Sequence, residues 1–187
     1  MKRMKNQTSD QPRRIIVLDT SAFLAGFDPF SLGEDQVTVP AVEEEIRRNS
    51  IISTRFKASV ESGKLKIKAP RLESLENAKA FARKLGDSYL LSKADIQLLA
   101  LALELKSEGY TPQIVTDDYS IQNVSTQMEI EFLALATFGI KCLLEWVRYC
   151  PACHREYPAD CASKECLVCG TQLKRKPRRT VKSLKKQ

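Results

Sequence analysis

The chain has 187 residues, 43% of them apolar and 28% charged, which excludes an intrinsically disordered polymer and suits one domain of about 100 to 150 residues plus a small appendage. No apolar run approaches the roughly 18 residues of a membrane span, and the basic N-terminus lacks the apolar stretch of a signal peptide, so a cytoplasmic protein with no membrane partner is expected. The net charge of +7 is unevenly held: residues 1–14 carry five basic and one acidic residue, residues 174–187 carry eight basic and none acidic, and residues 15–173 carry 17 basic against 22 acidic. Flexible basic ends over 1–14 and 174–187, meeting a polyanion such as nucleic acid, are therefore expected around an acidic body.

In chain order, IIVLD (15–19) places four aliphatic residues in a row, the pattern of a strand covered on both faces, and ends on Asp19. VTVPAVEEEIRR gives a short strand, then a helix with Pro40 in its first turn. TRFKASVESG reads as a helix stopped at Gly63, KLKIKAP as an alternating strand, and SLENAKAFARKLGD as an amphipathic helix closed by Gly86. SKADIQLLALALELKSEG is the longest helical pattern and is apolar nearly all round, which predicts a deeply buried helix. PQIVTDDYSIQNV reads as strand, tight turn and helix, and MEIEFLALATFGIKCLLEW is apolar enough to complete the sheet and add a last helix. The alternation predicts a three-layer α/β domain with a mainly parallel sheet over residues 15–148.

From Tyr149 the composition turns to cysteine, proline and polar residues, with too few large apolar groups for a core. Residues 149–173 are expected to form a separate small unit. Cys150-x2-Cys153 and, twelve residues on, Cys166-x2-Cys169-Gly170 have the spacing of two knuckles whose four thiolates close a tetrahedral zinc site. Four cysteine ligands leave no open position, so this zinc is structural, and its binding supplies the folding free energy of a coreless segment. Two disulfides are the alternative, disfavoured without a signal peptide. Cys161 is a spectator or a substitute ligand, Cys142 falls in an apolar segment and is assigned to the core, and His154 is assigned to the surface.

Five acidic residues fall where this reading puts the carboxyl ends of strands or the first turns of the helices that follow, the edge that forms the ligand crevice of an open parallel sheet. They are Asp19, Glu45, Asp95, Asp117 and Asp118. Each has a local explanation: Ser92-x-x-Asp95 is a capping-box pattern, Asp118 is placed to cap a helix, and Glu45 belongs to a run of three glutamates. Gathered at one edge they would repel one another unless a divalent cation neutralised them, and hard oxygen donors suit magnesium or manganese. Such ions support in-line displacement at phosphate. One histidine rules out a paired-histidine nuclease, and no GxxxxGK[ST] loop is present. Metal-assisted phosphodiester hydrolysis is what remains.

VLDTSAF, VPAVEEEI, GDSYLLSKADIQLLALALEL and VTDDYSIQNV resemble the motifs of the PIN-domain ribonucleases. With the four-cysteine ribbon after them, they are most similar to the Nob family, in its compact archaeal form. The resemblance covers about residues 15–173 and implies a metal-dependent endoribonuclease that matures the 3′ end of small-subunit ribosomal RNA. Its partners would be the ribosomal RNA precursor, the small subunit and its assembly factors. By position, Asp19, Glu45 and Asp95 match the first three acidic residues of the family, and the fourth falls within Asp117-Asp118. Asp87 either assists or caps a helix, and Thr20, Ser21 and Thr116 either orient carboxylates or cap locally. Only Lys141 is basic within MEIEFLALATFGIKCLLEW, so RNA-binding charge is expected from the segment after Leu173, with Tyr149 and Tyr157 either stacking on bases or packing the ribbon. The alternatives are a toxin-type PIN ribonuclease and a non-catalytic RNA-binding assembly factor.

Overall fold

Ile15, Ile16, Val17 and Leu18 are all buried in β1 (Arg14–Leu18) because the strand lies at the centre of a sheet. The structure, a computed structural model, describes residues 12–47, 50–86, 90–137, 139–140 and 142–183. Four further strands complete the sheet: β2 (Asp35–Thr38), β3 (Leu65–Ile67), β4 (Thr111–Val115) and β5 (Glu131–Leu133). Every neighbouring pair is parallel, in the order β3-β2-β1-β4-β5. Parallel neighbours require crossovers. These run through α1 (Thr20–Leu24), α2 (Pro40–Ile46), α3 (Ser50–Glu61), α4 (Leu72–Leu85), α5 (Lys93–Ser107) and α6 (Tyr119–Gln127). The chain moves outward from β1 to β3 and then returns to add β4 on the other side of β1, so the order reverses between β1 and β4. That reversal opens a crevice at the carboxyl ends of these two strands, the expected ligand position of such a sheet.

The helix predicted to be deeply buried is α5, whose Leu98, Leu99, Ala100, Leu101 and Ala102 have no exposed surface. Its buried Glu104 accepts the Arg71 N–H at 2.8 Å and pairs with Lys68 at 3.0 Å, which ties α5 to the chain after β3. Pro40 opens α2 and Gly86 closes α4 in a left-handed conformation (φ 74°), both as the sequence predicts. No helix among the described residues is long and apolar enough to cross a membrane.

A second, antiparallel sheet has the order β7-β6-β8, with β6 (Cys142–Tyr149), β7 (Glu156–Tyr157) and β8 (Lys174–Ser183). It corrects two expectations. The last helix expected within MEIEFLALATFGIKCLLEW is absent among its described residues, which form β5, a loop and β6. The Asn123 side chain both donates to Leu144 O (2.7 Å) and accepts its N–H (2.8 Å), holding extended backbone where a helix would need those groups. The basic segment expected to be a flexible tail is likewise ordered as β8 up to Ser183, paired with β6 from Lys174↔Tyr149 to Ser183↔Cys142. Its charge is accommodated because strand side chains alternate between two faces and meet rings and carboxylates. Arg175 lies 4.3 Å from the Trp146 ring centre and Lys176 lies 5.2 Å from that of Tyr149, while Lys176 also pairs with Glu156 at 2.6 Å. At the other end, Arg13 pairs with Asp35 and Arg14 begins β1, so the expected leader gives way to structure there. Residues 1–11 and 184–187, and the Cys142 side chain, lie outside what is described.

The end of α4 meets the second unit at Gly86. A Cβ there would stand 2.5 Å from Ala159 Cβ, and its carbonyl accepts from Arg175 at 2.5 Å.

Candidate active site

Asp19 follows the last residue of β1 and is buried, 5% exposed, where a solvated strand-end residue would normally sit. It caps α1 by accepting the Thr20 N–H at 2.7 Å, and its other oxygen accepts the Ser21 and Thr116 hydroxyls at 2.6 and 2.8 Å. Burial pushes its carboxyl above the usual aspartate range, with the bonds from Ser21, Thr116 and Thr20 pulling the other way. Thr20 turns its hydroxyl to Glu45 Oε2 at 2.6 Å, tying the exposed end of Glu45 on α2 to the β1 edge.

Asp95 is held in the capping box that the sequence signalled: its carboxylate accepts the Ser92 N–H at 2.6 Å, and its own N–H donates to Ser92 Oγ at 3.2 Å. Burial raises its pKa; Ser92 opposes this, and the neighbouring carboxylates of Asp19 and Asp118 raise it further. Gln97, one turn along α5, accepts the Ala41 N–H at 3.2 Å and so links the helices that carry Glu45 and Asp95. Nothing in the sequence singled out Gln97, since one polar residue in an apolar helix has no local signature of the helix it will touch.

The two adjacent aspartates after β4 face different partners. Asp118 is exposed, caps α6 through Ser120 (2.6 Å), and donates its N–H to Thr116 Oγ1 at 3.1 Å. Asp117 turns to the loop after β5, where its Oδ1 accepts the N–H groups of Leu135, Ala136 and Thr137 at 2.9 to 3.0 Å and the Thr137 hydroxyl at 3.1 Å. Burial would raise the Asp117 carboxyl, but the Thr137, Ala136 and Leu135 donors outweigh it and hold it below the usual range. The arrangement thus brings Asp19 and Asp118 to bear on Asp95 and ties Glu45 in through Thr20, while the Asp117 carboxylate is engaged by the loop at 135–137 and its N–H donates to Ser21 Oγ at 3.0 Å. Asp87 lies outside the described residues. Asp19 and Asp118 thus both act on Asp95, with Glu45 tied to the same edge through Thr20; carboxylate oxygens are the hard donors that suit a divalent cation.

The four cysteines are drawn closer. Their sulfurs all lie within 4.8 Å of one another, with Cys150 to Cys169 at 3.4 Å and Cys153 to Cys166 at 3.5 Å. A tetrahedron with metal–sulfur bonds of about 2.3 Å has edges of about 3.8 Å, so the four thiols fit a zinc-sized ion. Each knuckle is closed by a left-handed residue, Gly170 (φ 71°) in the second and His154 (φ 59°) in the first. The exposed His154 is therefore a turn residue. Tyr157 places its hydroxyl 3.0 Å from Cys166 Sγ, which holds that thiol down to about 6 while the phenol is pushed up to about 12. Cys161 is a free thiol outside the four.

Residues 16–105 match the family described as the PIN domain of ribonuclease. Together with the reversal of strand order and the carboxylates beside it, that match defines the protein's class as a PIN-domain ribonuclease. The chain is 36% identical over 165 residues to Endoribonuclease Nob1 of Methanothermobacter thermautotrophicus, covering 87% of this chain and 93% of that protein. It is 38% identical over 163 residues to Endoribonuclease Nob1 of Methanocaldococcus jannaschii (87% and 78%), and 33% identical over 162 residues to Ribonuclease VapC1 of Thermoplasma acidophilum (86% and 77%). This chain belongs to the Nob1 endoribonuclease family.

Proposed function

We propose that the protein cleaves precursor small-subunit ribosomal RNA at its 3′ end during ribosome biogenesis in the cytoplasm, using magnesium or manganese held by Asp19, Glu45, Asp95 and Asp118. The observation that carries this reading is the placing of Asp19 and Asp118 on the shared Thr116 hydroxyl at the reversal between β1 and β4, where both carboxylates act on Asp95. Asp117 is assigned to anchoring the loop at 135–137 and not to the ion, because four donors converge on its Oδ1 and hold the carboxylate to that loop. Bound magnesium or manganese would supply charge neutralisation at the scissile phosphate and activation of water.

The chain's own residues do the positioning. Ser21 and Thr116 fix which Asp19 oxygen is left toward the crevice, Thr20 aims Glu45, and Ser92 fixes Asp95. A raised carboxyl at Asp19 and Asp95 means that neither is at ease as a bare anion, so a cation is favoured before the negatively charged RNA arrives. The four cysteines hold structural zinc, and the unit they organise extends from β6 at Cys142 to β8 rather than beginning at residue 149.

The test is incubation of zinc-loaded protein with an RNA spanning the 3′ end of small-subunit ribosomal RNA, with added manganese or with none, beside Asp19→Asn. A single metal-dependent cut at the mature end, absent in the variant, is expected. Scattered metal-dependent cuts would replace this reading with a general PIN ribonuclease, and binding without cutting, on intact small subunits as well, would replace it with an assembly factor.

A further inference from the structure

A cleft of about 280 Å³ lies where the second sheet meets the chain leading into α5. Its lining combines the apolar Leu90 and Ala159 with Arg148, Lys164, Lys174 and Arg175. Four cations thus share a space of this size, and no carboxylate lines it among the described residues. Positive side chains gathered in this way attract an anion. Arg148 donates to Ser163 O at 3.0 Å, and Arg175 donates to the Gly86 carbonyl and lies over the Trp146 ring. Lys164 and Lys174 are exposed and form no ion pair with any described residue. Backbone pairing of Leu173 N–H to Lys164 O, at 2.9 Å, keeps the two lysines on one rim.

The rest of the lining has a different chemistry. Leu90 is 54% exposed and offers an apolar face, as does Ala159. Cations and apolar side chains lining one cleft suit one nucleotide of a single strand, with its phosphate at the lysines and its sugar or base against Leu90. Leu90 also stands two residues before Ser92, whose N–H is clamped by Asp95. Two residues of extended chain span at most about 7 Å, so the cleft and the carboxylates share one end of α5.

We propose that this cleft binds one nucleotide of the RNA strand flanking the scissile phosphate, making the second sheet part of the substrate site and not only a tether. The position of that nucleotide relative to the cut rests on the nuclease reading above; the binding itself does not.

The test uses the full zinc-loaded chain carrying Lys164→Gln and Lys174→Gln, singly and together, with zinc content and Trp146 fluorescence reporting the fold. In the Asp19→Asn background, binding of a short single-stranded RNA is followed by anisotropy across salt concentrations. The double variant is expected to bind at least about tenfold more weakly at low salt, with the slope of log affinity against log salt flattened by about 0.7 for each lysine. With Asp19 intact, KM should rise in proportion while kcat is retained. Unchanged affinity and slope would overturn the cleft as an RNA site. A protein that cuts nothing yet keeps the lysine dependence of binding would overturn the nuclease reading and leave the cleft standing.

Discussion

The Thr116 hydroxyl donates to Asp19 Oδ2 at 2.8 Å, joining the ends of β4 and β1 where the strand order reverses, and Thr116 Oγ1 in turn accepts the Asp118 N–H at 3.1 Å. One side chain therefore sets the position of two of the carboxylates proposed to hold the catalytic ion. Thr116→Val keeps the shape and removes both bonds. It is expected to lower stability by about 1 to 2 kcal/mol and metal-dependent RNA cleavage by about 10- to 100-fold, with Thr116→Ser restoring most of each. Cleavage kinetics and a thermal melt read the two effects. Wild-type cleavage by the valine variant would mean that Ser21 holds Asp19 unaided.

Asp117 and Asp118 should separate cleanly under substitution. Asp118→Asn retains a good helix cap and removes a charge from the crevice, so cleavage should be lost with the melting temperature nearly unchanged. Asp117→Ala strips the acceptor from three N–H groups and a hydroxyl, so a loss of about 2 to 3 kcal/mol is expected with the metal requirement unaltered. If Asp117→Ala instead abolished metal binding in a stable protein, the assignment of the two residues would be reversed.

Glu104 is 2% exposed, yet its carboxyl lies below the ordinary glutamate value. Burial alone would raise it; the Arg71 N–H and the Lys68 ammonium reverse the sign. A depressed folded-state pKa contributes stability that is present above the ordinary value of 4.5 and is lost as pH falls through the lower folded value. Glu104→Gln should thus destabilise by about 2 kcal/mol near neutral pH, and the difference from wild type should shrink below pH 4.5. Denaturant melts at pH 7 and in the acid range decide it; a difference that grew on acidification would contradict the ion-pair account.

The chain has one tryptophan, Trp146, and it sits on β6 beneath Arg175. Its fluorescence consequently reports on the second sheet. A strong zinc chelator should shift its emission toward that of an exposed indole while leaving most helical circular dichroism in place, since the cysteines organise the small sheet and the helices belong to the larger one. Cys166→Ala should mimic the chelator. Loss of helix and ribbon together in one transition would show instead that the Gly86 junction couples the two folds.

Much of this architecture was written locally. The aliphatic run of β1, the buried α5, the Pro40 and Gly86 boundaries, the Ser92-x-x-Asp95 box and the two cysteine pairs all depend on residues within a turn or a strand of each other, where periodicity, capping and ligand spacing act directly. What the tertiary structure decided depends on partners far along the chain. What the Asp117 carboxylate binds is decided by the loop at 135–137, almost 20 residues later, whose N–H groups converge on it, while its neighbour Asp118 caps α6. The segment after Leu173 reads as a solvated basic tail and becomes a strand because β6, roughly 30 residues earlier, offers unpaired backbone, two rings and acceptors for its cations. Charge and composition describe what a segment brings; whether an edge is waiting for it is a property of the folded surface alone.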